Sequence, residues 1–295
     1  MMHHTKRILT GFAVAALSAS AASADVKVGG KNFTEQLLMA EMTTQLLEAN
    51  DFDVDKSDGM GSNVLRKAQV NGEIDVYWEY TGTSLITYNK ESAEGLSEEE
   101  TIEKVRELDK EEGLTWLNCS EANNTYALAV KEGADATADV RTLSDMAAAY
   151  NDGKELTMAV NAEFPQRDDG LIGLQKEYDF EVPRGMRDSM DSGLTYSALK
   201  EGEADIALVF ATDGRIEAFD FRLLEDDKAF FPNYALCPVV RTETLDENPK
   251  LEEALNELSS KLDDATMQRL NARVDVDKKE VRDVAKEFLE EEGLI

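Results

Sequence analysis

Histidine is nearly missing from this 295-residue chain: His3 and His4 are the whole supply, both at the extreme N-terminus. A mature form that loses that end has no imidazole, which excludes Ser-His-Asp and Cys-His catalysis and every histidine metal site. Cysteine is as scarce, with Cys119 and Cys237 alone. Two cysteines allow a single pairing, or else stand as two separate buried thiols. Positive charge is also short. There are 31 Lys and Arg against 61 Asp and Glu, a formal net charge of −30 and a pI near 4.4. That field repels phosphates and excludes broad binding to nucleic acid or anionic lipid. It suits neutral or cationic small ligands. A fold this acidic also repels itself, which is best tolerated where salt screens the charges, as in a high-salt habitat.

Long apolar runs are missing as well. The run at residues 8–17 is too short for a membrane span of roughly 20 residues. It follows Lys6 and Arg7 and leads to Ala22-Ser23-Ala24, the layout of a secretory signal cleaved after Ala24. Loss of residues 1–24 removes both histidines, and loss of Lys6 and Arg7 takes the formal charge from −30 to −32. No cysteine follows the cleavage site, so no lipid anchor is expected. Export to an oxidising compartment favours a Cys119–Cys237 disulfide.

What remains is ample for a core: 42% of residues are hydrophobic, over a length that suggests two domains. Residues 26–28 read as a strand broken by Gly29-Gly30. A helix follows over 34–49, with Thr34 as its N-cap and Leu38, Met42 and Leu46 on one stripe. Ser97 and Glu100 form a capping box for a helix that Gly113 stops. Val281, Val284, Ala285, Phe288 and Leu289 mark an amphipathic last helix. Strand-like runs lie at 74–78, 126–130, 157–160, 206–210 and 239–240. Such alternation indicates α/β architecture. One passage repeats: GEIDVYWEY at 72–80 and GEADIALVF at 202–210, 130 residues apart, with Tyr80 opposite Phe210 and candidate N-caps Ser62 and Ser192 upstream. The echo suggests two similar lobes, each delivering an aromatic from a strand end, where open α/β sheets bind ligands.

The order and spacing of KNFTEQ (31–36), GEIDVYWEYTGT (72–83), NNTYALAV (123–130), TLSD (142–145), EFPQRDDG (163–170), DSGLTYSAL (191–199), ATDGRI (211–216) and DDKAFFPNY (226–234) resemble one family. It is the substrate-binding protein of ABC importers for glycine betaine, choline, carnitine and related osmoprotectants, and the resemblance covers residues 25–295. It implies a two-lobed periplasmic-binding-protein fold, a type II clamshell with ligand in the inter-lobe cleft. Lobe one would comprise 25–122 and 235–295, and lobe two 123–234. The crossings near 120–128 and 232–240, stiffened by Pro232 and Pro238, would bring Cys119 and Cys237 together.

A quaternary ammonium has no N–H, so aromatic faces and exclusion of water must hold it. The resemblance assigns that box to Tyr80, Tyr126, Phe210 and Tyr234, with Phe210 standing where the family usually has Tyr. Without the resemblance, Phe210 reads equally as core. For a ligand carboxylate it points to Arg167, which could instead bridge to Asp168 or Asp169. Thr83, Lys31, Gln36 and Asn124 are further donors. Glycine betaine is therefore expected to bind better than choline. Glu35, Glu41, Glu79 and Asp75 read as structural or solvated, because a carboxylate inside the box would need its desolvation balanced. The expected partners are a small quaternary amine and ABC permease subunits. No cofactor, metal or nucleic acid is expected, and the protein is read as a periplasmic monomer without enzymatic activity. The alternative, an exported carboxylate-dependent hydrolase, lacks a G-x-S-x-G elbow, a metal cluster and a dinucleotide glycine motif.

Overall fold

The structure, a computed structural model, describes residues 25–295. The signal-peptide reading of 1–24 lies outside the described residues. Strands β1 (Val26–Lys31), β2 (Val54–Met60), β3 (Val76–Tyr80) and β4 (Leu114–Trp116) come first in the chain. Next are β5 (Tyr126–Lys131), β6 (Met158–Asn161), β7 (Arg187–Met190), β8 (Ile206–Phe210) and β9 (Phe221–Leu223), and β10 (Leu236–Arg241) is last. They form two five-stranded sheets, ordered β2-β1-β3-β10-β4 and β7-β6-β8-β5-β9. The two share one plan. Three parallel strands lie side by side, and an antiparallel strand separates them from a short fifth.

The echo in the sequence explains the match. GEIDVYWEY ends in β3 and GEADIALVF in β8, and these hold the same place in their sheets. In both passages the Gly turns the chain out of a helix with positive φ, +79° at Gly72 and +76° at Gly202. Each aromatic end faces the first residue of the antiparallel strand: Tyr80 pairs with Leu236, and Phe210 with Tyr126.

Several local readings need correction. β1 is not broken at Gly29-Gly30 but runs through both. A Cβ on Gly29 would meet Leu65 at 2.6 Å and one on Gly30 would meet Ala40 at 2.9 Å. The glycines therefore admit helices α1 (Thr34–Ala49) and α2 (Ser62–Val70) close to the strand, rather than ending it. Phe33, not Thr34, occupies the N-cap of α1, and the Thr34 hydroxyl donates to Asp275 at 2.9 Å. Ser62 and Ser192 are first helical residues, after the N-caps Gly61 and Asp191. The Ser97–Glu100 capping box does form, at the start of α3 (Glu98–Lys110). The last helix, Val281–Glu291, buries Val284, Ala285, Phe288 and Leu289 and packs on α1.

Two segments join the sheets, one after β4 and one before β10. They hydrogen-bond to each other, Asn124 N to Tyr234 O at 3.2 Å and Leu236 N to Ala122 O at 3.1 Å. A Cys119–Cys237 disulfide staples them, with Cα atoms 4.1 Å apart. Pro238 lies inside β10, opposite Trp78, beyond the crossing itself.

Candidate functional site

The four aromatic residues come together where the sheets face each other. Tyr80 ends β3, Phe210 ends β8, Tyr126 opens β5 and Tyr234 precedes β10. All four line one cleft. The Tyr126 ring centroid is 5.4 Å from that of Phe210 and 5.6 Å from that of Tyr234. A fifth ring stands between Tyr80 and Phe210. Phe33 is 6.2 Å from Tyr80 and 5.2 Å from Phe210, within 6° of parallel to the latter. Sequence reasoning passed over Phe33; its only signal was its position in the KNFTEQ motif. Phe210 is only partly buried and faces the cleft, although its strand is otherwise core.

Local packing fixes the rings. A Cβ on Gly82, within EYTGT, would lie 2.8 Å from the Tyr234 ring, so only glycine lets Tyr234 lie against that turn. The Tyr80 hydroxyl donates to Glu35 at 2.7 Å, and the Tyr234 hydroxyl donates to Asp169 at 2.8 Å. Burial pushes both phenols well above their ordinary pKa, and pushes Tyr126 up to about 12. All three rings therefore face the cleft as neutral phenols at physiological pH.

The polar candidates are distributed differently from the expectation. Arg167 lines the cleft and is buried, with its fork closed on Asp169: Nε to Oδ1 at 2.7 Å and a terminal nitrogen to Oδ2 at 2.5 Å. That terminal nitrogen also donates to Thr83 Oγ1 at 3.3 Å, while the other lies 3.6 Å from Glu163. Lys31 also reaches the cleft, but its ammonium is paired with Glu79 at 2.5 Å and lies 4.8 Å from the Tyr80 ring centre. Both cations thus face the cleft already paired with a carboxylate. Gln36 is not among the cleft-lining residues. Its amide donates to Trp78 O at 2.8 Å and accepts from Lys31 N, tying β1 to β3. Asn124 does line the cleft and donates to Glu35 at 2.8 Å.

Glu163 bridges the two sheets. Its carboxylate accepts from Ser62 N and Ser62 Oγ, both at 2.9 Å, at the start of α2. Of the two alternatives left open for Glu35 and Glu79, solvated does not hold, since both are buried. Glu79 is fully buried and accepts from Tyr77 and Tyr88 as well as Lys31. Glu35 is buried directly behind Tyr80.

Among the described residues, no group of three or more His, Cys, Asp or Glu side chains is placed to hold a metal ion, and no helix is long and apolar enough to cross a membrane.

Comparison with known proteins bears on the family and the fold. Residues 24–291 match the family described as the substrate-binding domain of ABC-type glycine betaine transport systems. The chain is 38% identical over 276 residues to a glycine-betaine-binding protein of Pseudomonas aeruginosa, covering 92% of this chain and 88% of that one. It is 36% identical over 270 residues to the ergothioneine transport permease/ergothioneine binding protein EgtU of Helicobacter pylori, covering 90% of this chain and 47% of that one. A crystal structure titled as a glycine betaine/carnitine/choline ABC transporter superposes with a TM-score of 0.72 at 31% identity, covering 92% of this chain and 99% of that one. The match fixes the architecture as a two-lobed type II periplasmic-binding-protein fold with the ligand cleft between the sheets, and the chain belongs to the family of substrate-binding domains of ABC-type glycine betaine transport systems.

Proposed function

We propose that this protein captures a quaternary ammonium osmolyte, glycine betaine or a close relative such as choline or carnitine, and delivers it to the permease of an ABC importer without altering it. The carrying observation is the convergence of Tyr80, Tyr126, Phe210 and Tyr234 on one cleft between two sheets of like plan. Aromatic faces attract a methylated cation and exclude water from it. Thr83, Asn124 and the outer edge of Arg167 supply polar contact for the rest of the ligand. Lobe one is assigned to 25–122 with 235–295, and lobe two to 123–234. The protein works as an exported periplasmic monomer whose signal peptide is cleaved after Ala24.

Titration calorimetry with glycine betaine, choline, carnitine and ectoine tests this reading, with product analysis of the same mixtures. One-to-one binding of a quaternary amine without turnover is expected. No binding of any quaternary amine would overturn the proposal, and product formation would favour the hydrolase alternative.

A further inference from the structure

Glu35 sits behind the cleft, bonded to a ring that lines it, yet the ligand set above gives it no task. The residue is 3% exposed, and its carboxylate accepts four hydrogen bonds. Tyr80 Oη (2.7 Å) and Asn124 Nδ2 (2.8 Å) donate to Oε1, and Thr212 Oγ1 (2.5 Å) and Asn271 Nδ2 (3.3 Å) donate to Oε2. All four donors are neutral. The other buried carboxylates nearby hold cations: Glu79 holds Lys31, Asp169 holds Arg167, and Asp213 holds Arg215.

The surroundings are set for a charged Glu35. Asn124 and Asn271 both turn their NH2 groups to it, Asn271 donating also to Thr212 O at 3.0 Å and Asn124 to Tyr80 Oη at 3.3 Å, and their amide oxygens stay buried without partners. Leaving two acceptors unmet while both donors reach the carboxylate favours its charged form. Burial opposes the charge and raises the Glu35 pKa above its ordinary value. Glu35 has no ion pair of its own: Lys31, 4.8 Å from the Tyr80 ring centre, is paired with Glu79, and Arg215, which borders the same small cavity as Glu35, is paired with Asp213. A buried charge so placed is unfavourable until a further positive group arrives nearby.

The path for such a group is visible. Glu35 does not line the main cleft; it borders a smaller cavity on the far side of Phe33 and Phe210. Its link to the cleft is the Tyr80 hydroxyl. A phenol that donates to a carboxylate is polarised, and the face of its ring becomes more negative. Cation–π attraction depends on that face.

We propose that Glu35 is the counter-charge of the bound quaternary ammonium, acting through the Tyr80 ring, and that it makes the cleft select positive charge rather than shape alone. Glu35 is on this account a specificity-determining residue that touches no ligand atom. The inference rests on the aromatic-box reading above.

The test compares choline with 3,3-dimethylbutan-1-ol, its uncharged carbon isostere, by calorimetry on wild type, Glu35→Gln, Glu35→Asp and Tyr80→Phe. Wild type should prefer choline. Glu35→Gln should shrink the choline-to-isostere ratio about tenfold, through choline alone. Glu35→Asp, which keeps the charge, should retain most of the ratio. Tyr80→Phe keeps the ring but cuts its link to Glu35, so it should also shrink the ratio; it serves if Glu35→Gln fails to fold. Equal weakening of both ligands in Glu35→Gln or Tyr80→Phe would show a purely structural role and overturn the inference. An unchanged ratio would do the same. If wild type binds neither choline nor glycine betaine, the box reading fails and this inference with it. If wild type binds them with an unchanged ratio in the variants, only the inference falls.

Discussion

Tyr80 and Tyr234 each do two jobs, with a ring facing the cleft and a hydroxyl bonded to a buried carboxylate. Removing either ring deletes a face worth about 0.5–2 kcal/mol of cation–π attraction. Tyr80→Ala and Tyr234→Ala should therefore weaken quaternary-amine binding about tenfold or more in calorimetry. Tyr80→Phe looks mild from the sequence, where only the ring counts. The structure makes it costlier, because it strips a donor from a carboxylate that is wholly buried. Phe210 makes no such bond. Phe210→Tyr should bind like wild type, and Phe210→Leu, which keeps bulk and loses the face, should bind several-fold less. Wild-type binding by folded Phe210→Leu would return that residue to the core. Glu35 also sets a pH dependence of stability. Its folded pKa is raised, so its favourable contribution is complete below the ordinary carboxylate range and is lost as pH rises through the folded value. At pH 7 Glu35→Gln should therefore melt higher than wild type, and the gap should close on acidification. A lower melting temperature at pH 7 would mean that the four donors outweigh the burial.

Strand ends and the turns after them carry the site. The Tyr80 end of β3 leads into Gly82, whose missing Cβ leaves room for the Tyr234 ring. Gly82→Ala should displace that ring and weaken binding about as much as Tyr234→Ala, while far-UV circular dichroism stays unchanged. A binding curve like wild type's would show that the ring can shift without loss. This region was legible in the sequence because its signals are local: a Gly turn, a short apolar strand and an aromatic end, written twice. β2 and β7 were not legible. Their sequences, VDKSDGM and RDSM, are polar and largely exposed, and they are strands only because β1 and β6 offer paired edges. The roles of Phe33, Thr212 and Asn271 were hidden for a related reason. Asn271 lies 236 residues from Glu35 in sequence, and no spacing rule reports such a meeting. One charge pair misled in the opposite sense. Lys31 read as a free donor because Glu79 shows its partnership only in three dimensions, whereas the bridge from Arg167 to Asp169, two residues on, was already an open alternative in the sequence.

Across the molecule, the formal charge of −30 is spread over a surface with few cations to offset it. At about 1 M salt the Debye length falls to about 3 Å, which screens most of that repulsion. The melting temperature should rise between about 0.05 and 1 M NaCl, and a flat response would mean that the ion pairs already balance the repulsion. The Cys119–Cys237 link closes a loop of 118 residues in sequence separation. In the chain-entropy account such a closure stabilises by about 5 kcal/mol. A reductant should therefore lower the melting temperature, and without one no thiol should react with an alkylating agent.

The same staple has a consequence for damage. Everything between Cys119 and Cys237, the whole second sheet included, is a covalent ring closed at its neck. A protease that nicks the chain once anywhere inside the ring leaves a single body of unchanged mass apart from one water. The two pieces part only when reductant opens the neck.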